Sequence, residues 1–291
     1  MIAGDLRASG AEAPAAPDSE TRTSLAELET NLLLDGVARL SGFDFREYAP
    51  TSLRRRVAER VRAEGVRSIA GLLERVLHEP VVLERFLYAM TTTASAPFRD
   101  VPFYASLVTN VIPCLRTYPY FRVWVVGNGA DAYPVAILLH EAGLLGRARI
   151  YATEATESGL AEAKRGLIAP EALVGAEERY RACGGTRSFA EYVETTPEGA
   201  SFVAMPAQDV LFARHHLASE GSFNEFQAVI VRTVLASYGR ALAYRVHETL
   251  YESIARLGFL CVPTREAMYA SPHRGAYEAL PGSDTVFRRV R

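Results

Sequence analysis

A doubly wound α/β sheet preceded by an all-helical domain is the fold class this sequence predicts, on three observations. Residues 25–93 carry helical periodicity throughout. From residue 94 onward, short β-branched runs alternate with helical ones. The two regimes meet at APFRD, residues 96–100, where the pattern changes abruptly. Strand, helix, strand in that rhythm means parallel crossover units.

The elements follow in order. Residues 1–24 are rich in Ala, Pro, Glu and Ser and are expected to be disordered. LAELETNLLLDGVARLSG, SLRRRVAERVRAEG and SIAGLLERVLHEP each end at a Gly or Pro stop, and VVLERFLYAM follows Pro80, giving a small helical domain. The α/β part then reads RVWVV, a helix through AVILLHEAG, RARIYAT and ESGLAEAKRG. SFVAM, FQAVIVR, a helix through YRVHETLYESIARLG and FLCVP continue it. Residues 169–200 break the rhythm and read as an inserted subdomain, so the α/β domain spans 94–291 around it. The closing TVFRRVR alternates and is expected as an antiparallel edge strand.

Composition limits the function classes. The 291 residues are 49% hydrophobic and 23% charged, with a formal net charge of −2, which gives no overall attraction to nucleic acid. No apolar run nears the ~20 residues that span a bilayer, and the N-terminus lacks the apolar stretch of a signal peptide. Cys114, Cys183 and Cys261 are too few and too scattered for a disulfide framework or a zinc site. A reduced, cytoplasmic protein without a metal is expected.

GNGADA, residues 127–132, fits G-x-G-x-x-A between a strand and a helix, and Glu154 ends the next strand, where an acid can bond ribose hydroxyls. Taken alone, the turn suits NAD or S-adenosylmethionine, or a tight turn without a ligand.

The order of motifs along the chain, from about Gly42 to the C-terminus, resembles the CheR-type chemoreceptor glutamate methyltransferases. GFDFREYAPTSLRRRVAERVRAEG is similar to a stretch of that family's helical domain, and TTTASAPFRD to its T-x-N-x-T-x-F-F-R-D segment. There Thr91, Ser95, Phe98, Arg99 and Asp100 match, while Thr93 replaces an Asn. ATEATESGLAEAKRGLI looks like A-T-D-I-D-x-x-x-L-x-x-A-R-x-G-x-Y, which puts Glu154 in the place of a ribose-binding Asp. VIVRTVLASY resembles F-C-R-N-V-x-I-Y-F, so Thr233 follows Arg232 where the family has a cofactor-binding Asn, and Ser237 stands for a Tyr near the methyl group, with Tyr238 one place on. The family's glycine loop is about two residues longer, and Ala130-Asp131 replaces its acidic pair.

The resemblance implies S-adenosylmethionine as cofactor, S-adenosylhomocysteine as product and a protein carboxylate as methyl acceptor. It implies cofactor contacts from Thr91, Thr93, Ser95, Gly127, Gly129, Asp131, Glu154, Arg232 and Thr233. Asp209 is the candidate acceptor for the adenine amino group, and the insert falls where the family carries a small β-subdomain for receptor docking. A glutamate is ionised at neutral pH, with a reference pKa near ~4.3, so its methylation needs no general base. It needs placement, and Arg99 can hold the carboxylate bidentately.

His215-His216 lacks metal-ligand spacing and reads as a solvated loop, while Trp124 and Tyr133 read as core or wall residues. On the arginine-rich helix, Leu53, Val57 and Val61 form one stripe, Arg54, Arg56 and Arg60 flank it, and Arg55 and Arg62 point away. Those two are the candidates for docking the acidic helical methylation region of a chemoreceptor. The rivals are a catalytically weak or inactive relative serving as a binding module, a methyltransferase redirected to another substrate, and, more remotely, an NAD-dependent oxidoreductase.

Overall fold

The computed structural model describes residues 19–92, 96–203 and 210–291. The described residues begin with helices α1 (Ser19–Ser41), α2 (Pro50–Ala63), α3 (Ile69–His78) and α4 (Pro80–Thr91). Pro50 and Pro80 stand in the first turns of α2 and α4, where a missing N–H breaks no helical bond. Ser68 caps α3, its side chain accepting from the Gly71 amide at 3.1 Å. Of the stretch expected to be disordered, residues 1–18 lie outside the described residues, whereas 19–24 already belong to α1.

The second part runs α5 (Val101–Ser106), α6 (Ile112–Leu115), β1 (Phe121–Val126), α7 (Ala132–Glu141), β2 (Ala148–Glu154) and α8 (Glu157–Arg165). An inserted unit follows: β3 (Leu167–Ile168), α9 (Pro170–Leu173), α10 (Ala176–Ala182), β4 (Val193–Thr196) and β5 (Gly199–Phe202). The chain returns through β6 (Val210–Arg214), β7 (Phe226–Ile230), α11 (Arg240–Ser253), β8 (Ile254–Cys261), β9 (Tyr277–Ala279) and β10 (Val286–Arg289). The main sheet has the order β6-β2-β1-β7-β8-β10-β9. Its first five strands are parallel, and β10 runs antiparallel to both β8 and β9. The insert forms a separate antiparallel sheet, β3-β5-β4.

The structure corrects four expectations. SFVAM does not supply the third main-sheet strand: its first residues end β5 in the small sheet, and VLFAR of β6 pairs with β2 instead. The small sheet draws in Leu167, Ile168, Ser201 and Phe202, just outside the 169–200 segment. TVFRRVR is not an edge strand, because three residues of β9 cover its outer side. IARLG belongs to β8 and not to the preceding helix; Leu257, at φ +67°, lies in this strand, whose register with β7 slips between Phe226 and Ala228.

Alternation along β1 divides its side chains between two cores. Val123 and Val125 face α5–α7 and the insert, while Trp124 and Val126 join the buried apolar residues of α1–α4. The helical bundle therefore shares a core with one face of the sheet. Arg56 of α2 fastens it there. This guanidinium donates to the Ala89 and Thr92 carbonyls at 2.7 and 2.9 Å and to Ser237 Oγ at 3.1 Å. The Ala49 amide also bonds Ser237 O, and the Gly239 amide bonds Glu47 O. Arg56 is thus buried, not merely on the flank of an apolar stripe.

Candidate active site

The carboxyl ends of β1 and β2 open into a cavity of about 550 Å³, roofed by Tyr88 and Thr92 at the end of α4 and walled by α8 and the insert. Ligands of open α/β sheets bind at this edge. The glycine turn after β1 forms its floor. Gly127 has φ +72°, and a Cβ there would fall 2.1 Å from Val234 Cγ1, so only glycine lets the turn close against the segment after β7. A Cβ on Gly129 would meet Ala163 Cβ at 3.0 Å, which sets how closely α8 approaches.

Glu154 is 2% exposed. Its Oε1 accepts from the Gly129 amide at 2.6 Å, while Oε2, buried at the cavity wall, has no partner among the described residues. Burial pushes the carboxyl up to about 7, with the Gly129 amide opposing the rise and Asp131 adding to it. Asn128 Nδ2 and Thr92 Oγ1, both on the same cavity, are likewise buried without partners. Leaving such a group unpaired costs ~1–3 kcal/mol, so three around one cavity offer bonding capacity that a polar ligand can meet. A ribose diol, with two hydroxyl donors, suits Glu154 Oε2, and the Asn128 amide can both donate and accept. These residues fit an adenosine cofactor.

Other expected contacts are placed differently. Asp131 and Arg232 hold each other, Nε to Oδ2 and Nη2 to Oδ1 both at 2.9 Å, with both residues buried. Burial works against the Arg232 charge, but the Asp131 carboxylate outweighs it and raises its pKa. Tyr104 OH donates to Asp131 Oδ1 at 3.4 Å. Thr91 turns its hydroxyl onto the Leu87 carbonyl at 2.8 Å, within α4, because a threonine near a helix end finds that acceptor first. Thr233 Oγ1 is buried but does not line the cavity. Tyr238 packs edge-on against Tyr48 at 5.2 Å, away from the cavity. Thr93, Ser95 and Asp209 lie outside the described residues.

Arg99 is exposed and lies on the cavity lining. Its neighbour Asp100 caps α5, accepting from the Phe103 amide at 3.3 Å, so the two do not form a surface pair. Between them and Pro97, Phe98 adopts φ +53° while fully buried, a conformation that costs a bulky residue of order 1–3 kcal/mol. On α2, Arg55 bonds Glu59 at 2.7 Å and Arg62 is exposed. His215 and His216 are buried instead of solvated. His215 Nε2 bonds Gly221 O, His216 Nδ1 bonds Ser219 Oγ, and the His216 ring stacks on Phe43. Tyr133 stacks on Phe202 at 4.5 Å and Trp124 is core.

Sequence reasoning missed Thr92, Asn128 and Arg179 on the cavity. Asn128 had a signal, as the residue between two turn glycines, but Arg179 sits in the insert and had none.

Comparison with known proteins agrees with this arrangement. The profile described as CheR methyltransferase, all-alpha domain, matches residues 28–91, and that described as CheR methyltransferase, SAM binding domain, matches residues 93–282. A Pseudomonas putida protein named "Putative methyltransferase Cher3" is 34% identical over 265 residues, covering 90% of this chain and 97% of its own. A 104.1 kDa protein of Rhodobacter capsulatus is 26% identical over 245 residues, which are 80% of this chain but only 25% of that one. Among solved structures, magnesium protoporphyrin IX methyltransferase from Synechocystis with bound SAH is 17% identical, covering 65% of this chain and 68% of its own, at a TM-score of 0.33. That last likeness is too low to carry weight beside the sequence matches. With a helical domain, a methyltransferase-type sheet and these matches along nearly its whole length, the chain belongs to the CheR family of S-adenosylmethionine-dependent methyltransferases.

Proposed function

We propose that this protein methylates a glutamate carboxylate on a protein in the cytoplasm, in the manner of the chemoreceptor methyltransferases of chemotaxis. The observation that supports this most is Arg99, an exposed guanidinium on the same cavity as Glu154. S-adenosylmethionine, when bound, supplies an electrophilic methyl group on a sulfonium. Glu154 accepts from the ribose through Oε2, and Asn128 and the Gly129 turn border the same ligand. Arg99 pairs with the acceptor carboxylate through its planar fork and fixes its orientation. The roof from α4 and the wall from the insert exclude water around the reacting pair. Arg55 and Arg62 on α2 meet the acidic helical bundle of the acceptor, a long-range attraction that raises the encounter rate.

The test is transfer of label from methyl-tritiated S-adenosylmethionine to a purified chemoreceptor methylation region. Base-labile label in the acceptor, lost by ~10²-fold or more in Arg99→Ala with cofactor affinity retained, is expected. Absence of label from a protein that binds S-adenosylhomocysteine would overturn the glutamate assignment. A second reading draws on Asp131, whose carboxylate lines the cavity but is already held by Arg232, and on Tyr238, which packs against Tyr48 away from the cavity. It is a protein that binds the cofactor but turns over slowly, acting mainly as a binding module.

A further inference from the structure

The inserted subdomain reaches the turn that carries Arg99 through one side chain. Arg179 of α10 donates from Nε to the Pro97 carbonyl at 3.1 Å, from Nη1 to Val174 O at 2.6 Å and from Nη2 to Ala172 O at 2.8 Å. All three bonds go to backbone carbonyls. The guanidinium thus ties the end of α9, the start of α10 and the residue just before Phe98 into one knot. The turn is otherwise closed by the Arg99 amide on Ala96 O at 3.2 Å. Phe98 holds its left-handed conformation against Tyr104 at 5.2 Å, Tyr180 at 5.4 Å and Phe189 at 6.0 Å, and the last two belong to the insert. An unfavourable backbone conformation persists only where its surroundings over-determine it. Here two of the three rings and the backbone strap come from the insert.

We propose that Arg179 is a positioning residue for methyl transfer: it holds the Pro97–Phe98–Arg99 turn in the conformation that presents Arg99 to an acceptor carboxylate. The inserted subdomain then does more than offer a surface. Its geometry sets where the Arg99 guanidinium stands, so movement of α9 or α10 moves the acceptor site. A lysine at 179 keeps the charge but cannot reach three divergent carbonyls, because an ammonium lacks the rigid fork. This deepens the carboxylate-acceptor reading above and rests on it for its functional consequence.

Two measurements on the full chain test it, with Arg179→Lys and Arg179→Met as variants and S-adenosylhomocysteine present throughout. In hydrogen–deuterium exchange, peptides covering residues 98–103 should exchange about tenfold faster in Arg179→Met, with β1 and β2 unchanged and Arg179→Lys falling between. In protein labelled with 15N-arginine, glutarate serves as the carboxylate probe. The Arg99 Nε–H resonance should shift with glutarate in the parent, and both variants should need about fivefold more glutarate for the same shift. Cofactor affinity is measured on the same variants because Arg179 also lines the cavity. A change within about twofold is expected, and a larger loss would assign Arg179 to the cofactor site and overturn the positioning role. Unchanged exchange at residues 98–103 in a folded Arg179→Met, or in Arg179→Lys should the former not fold, overturns the positioning role. If the parent Arg99 ignores glutarate, the carboxylate reading fails by itself, and the exchange data alone decide whether Arg179 holds the turn.

Discussion

The glycine turn after β1 has two sides, and they are built on opposite principles. Toward β7, the charged groups are paired within the protein: Asp131, although it also lines the cavity, grips Arg232 with two bonds of 2.9 Å. Gly127 lets Val234 seat directly on the turn, and the Thr233 hydroxyl, without a partner among the described residues, is buried off the cavity. Toward β2, polar groups are buried and left open: Glu154 Oε2, Asn128 Nδ2 and, above them, Thr92 Oγ1. Burial of a charge is tolerated when it is paired and costs several kcal/mol when it is not. The paired, closed side is therefore scaffold. The ligand site is the open side, marked by unmet bonding capacity that opens onto the cavity, which Glu154, Asn128 and Thr92 have and Thr233 does not.

The largest effect should come from breaking the closed side. Asp131→Ala leaves Arg232 buried beside Tyr104 without its carboxylate, and should cost ~3–5 kcal/mol of stability. Urea denaturation of the two proteins at one pH measures it. A cost under ~1 kcal/mol would mean that water already reaches the pair, and the two sides would not differ in kind.

Glu154 tests the open side with the opposite sign. Its carboxyl is held at about 7 in the folded protein against 4.5 in a free side chain. A raised folded value favours the neutral form, so the contribution is full below pH 4.5 and is lost as pH rises through 7. Without cofactor, stability should fall by up to roughly 3 kcal/mol over that window, and Glu154→Gln should flatten the dependence. The same substitution should weaken S-adenosylhomocysteine binding by ~1–3 kcal/mol. Parent binding near pH 6.5 should release protons, because ribose hydroxyls favour the ionised carboxylate. Calorimetry in two buffers of different ionisation enthalpy reads that release. A smaller effect is expected at Asn128→Ala, where binding should weaken by ~1–2 kcal/mol with little change in apo stability, as the lost amide had no partner to leave behind. Equal affinity would remove Asn128 from the site.

Local pattern made the two regimes, the glycine turn and Glu154 legible, because each is set by periodicity or by residues within one strand–turn–helix unit. It failed where partners are distant. Arg232 lies 101 positions from Asp131, and Arg56 lies 181 from Ser237, so neither pairing leaves a trace in spacing. The third strand was misplaced for a related reason: GASF of β5 is largely buried and looks like core, whereas VLFAR of β6 is a half-exposed edge of the main sheet. Nothing in TVFRRVR itself reveals that three residues of β9 will cover it. Arg99 was legible only as part of the FRD motif. The strap from Arg179 that sets its turn needed the fold.

The smallest expected effect is also the sharpest test of the contrast. Thr233 follows Arg232 where the resemblance implies a cofactor-binding Asn, and an amide there would offer both a donor and an acceptor. On sequence grounds Thr233→Asn should tighten cofactor binding. The structure places the residue on the closed side: Thr233 begins the 3-10 turn after β7, its hydroxyl is buried, and it does not line the cavity. An asparagine there would carry its amide off the cavity lining and not onto the ligand. Thr233→Asn should therefore leave S-adenosylhomocysteine affinity within about twofold, well short of the tenfold that 1.4 kcal/mol would give. The comparison is with Asn128→Ala in the same calorimeter, since the two positions flank one turn. Should Thr233→Asn instead tighten binding by about fivefold or more, a gain of ~1 kcal/mol, the closed side must open when cofactor binds. The Asp131–Arg232 pair would then be a latch that the ligand releases, and the division between scaffold and site would hold only for the unbound protein.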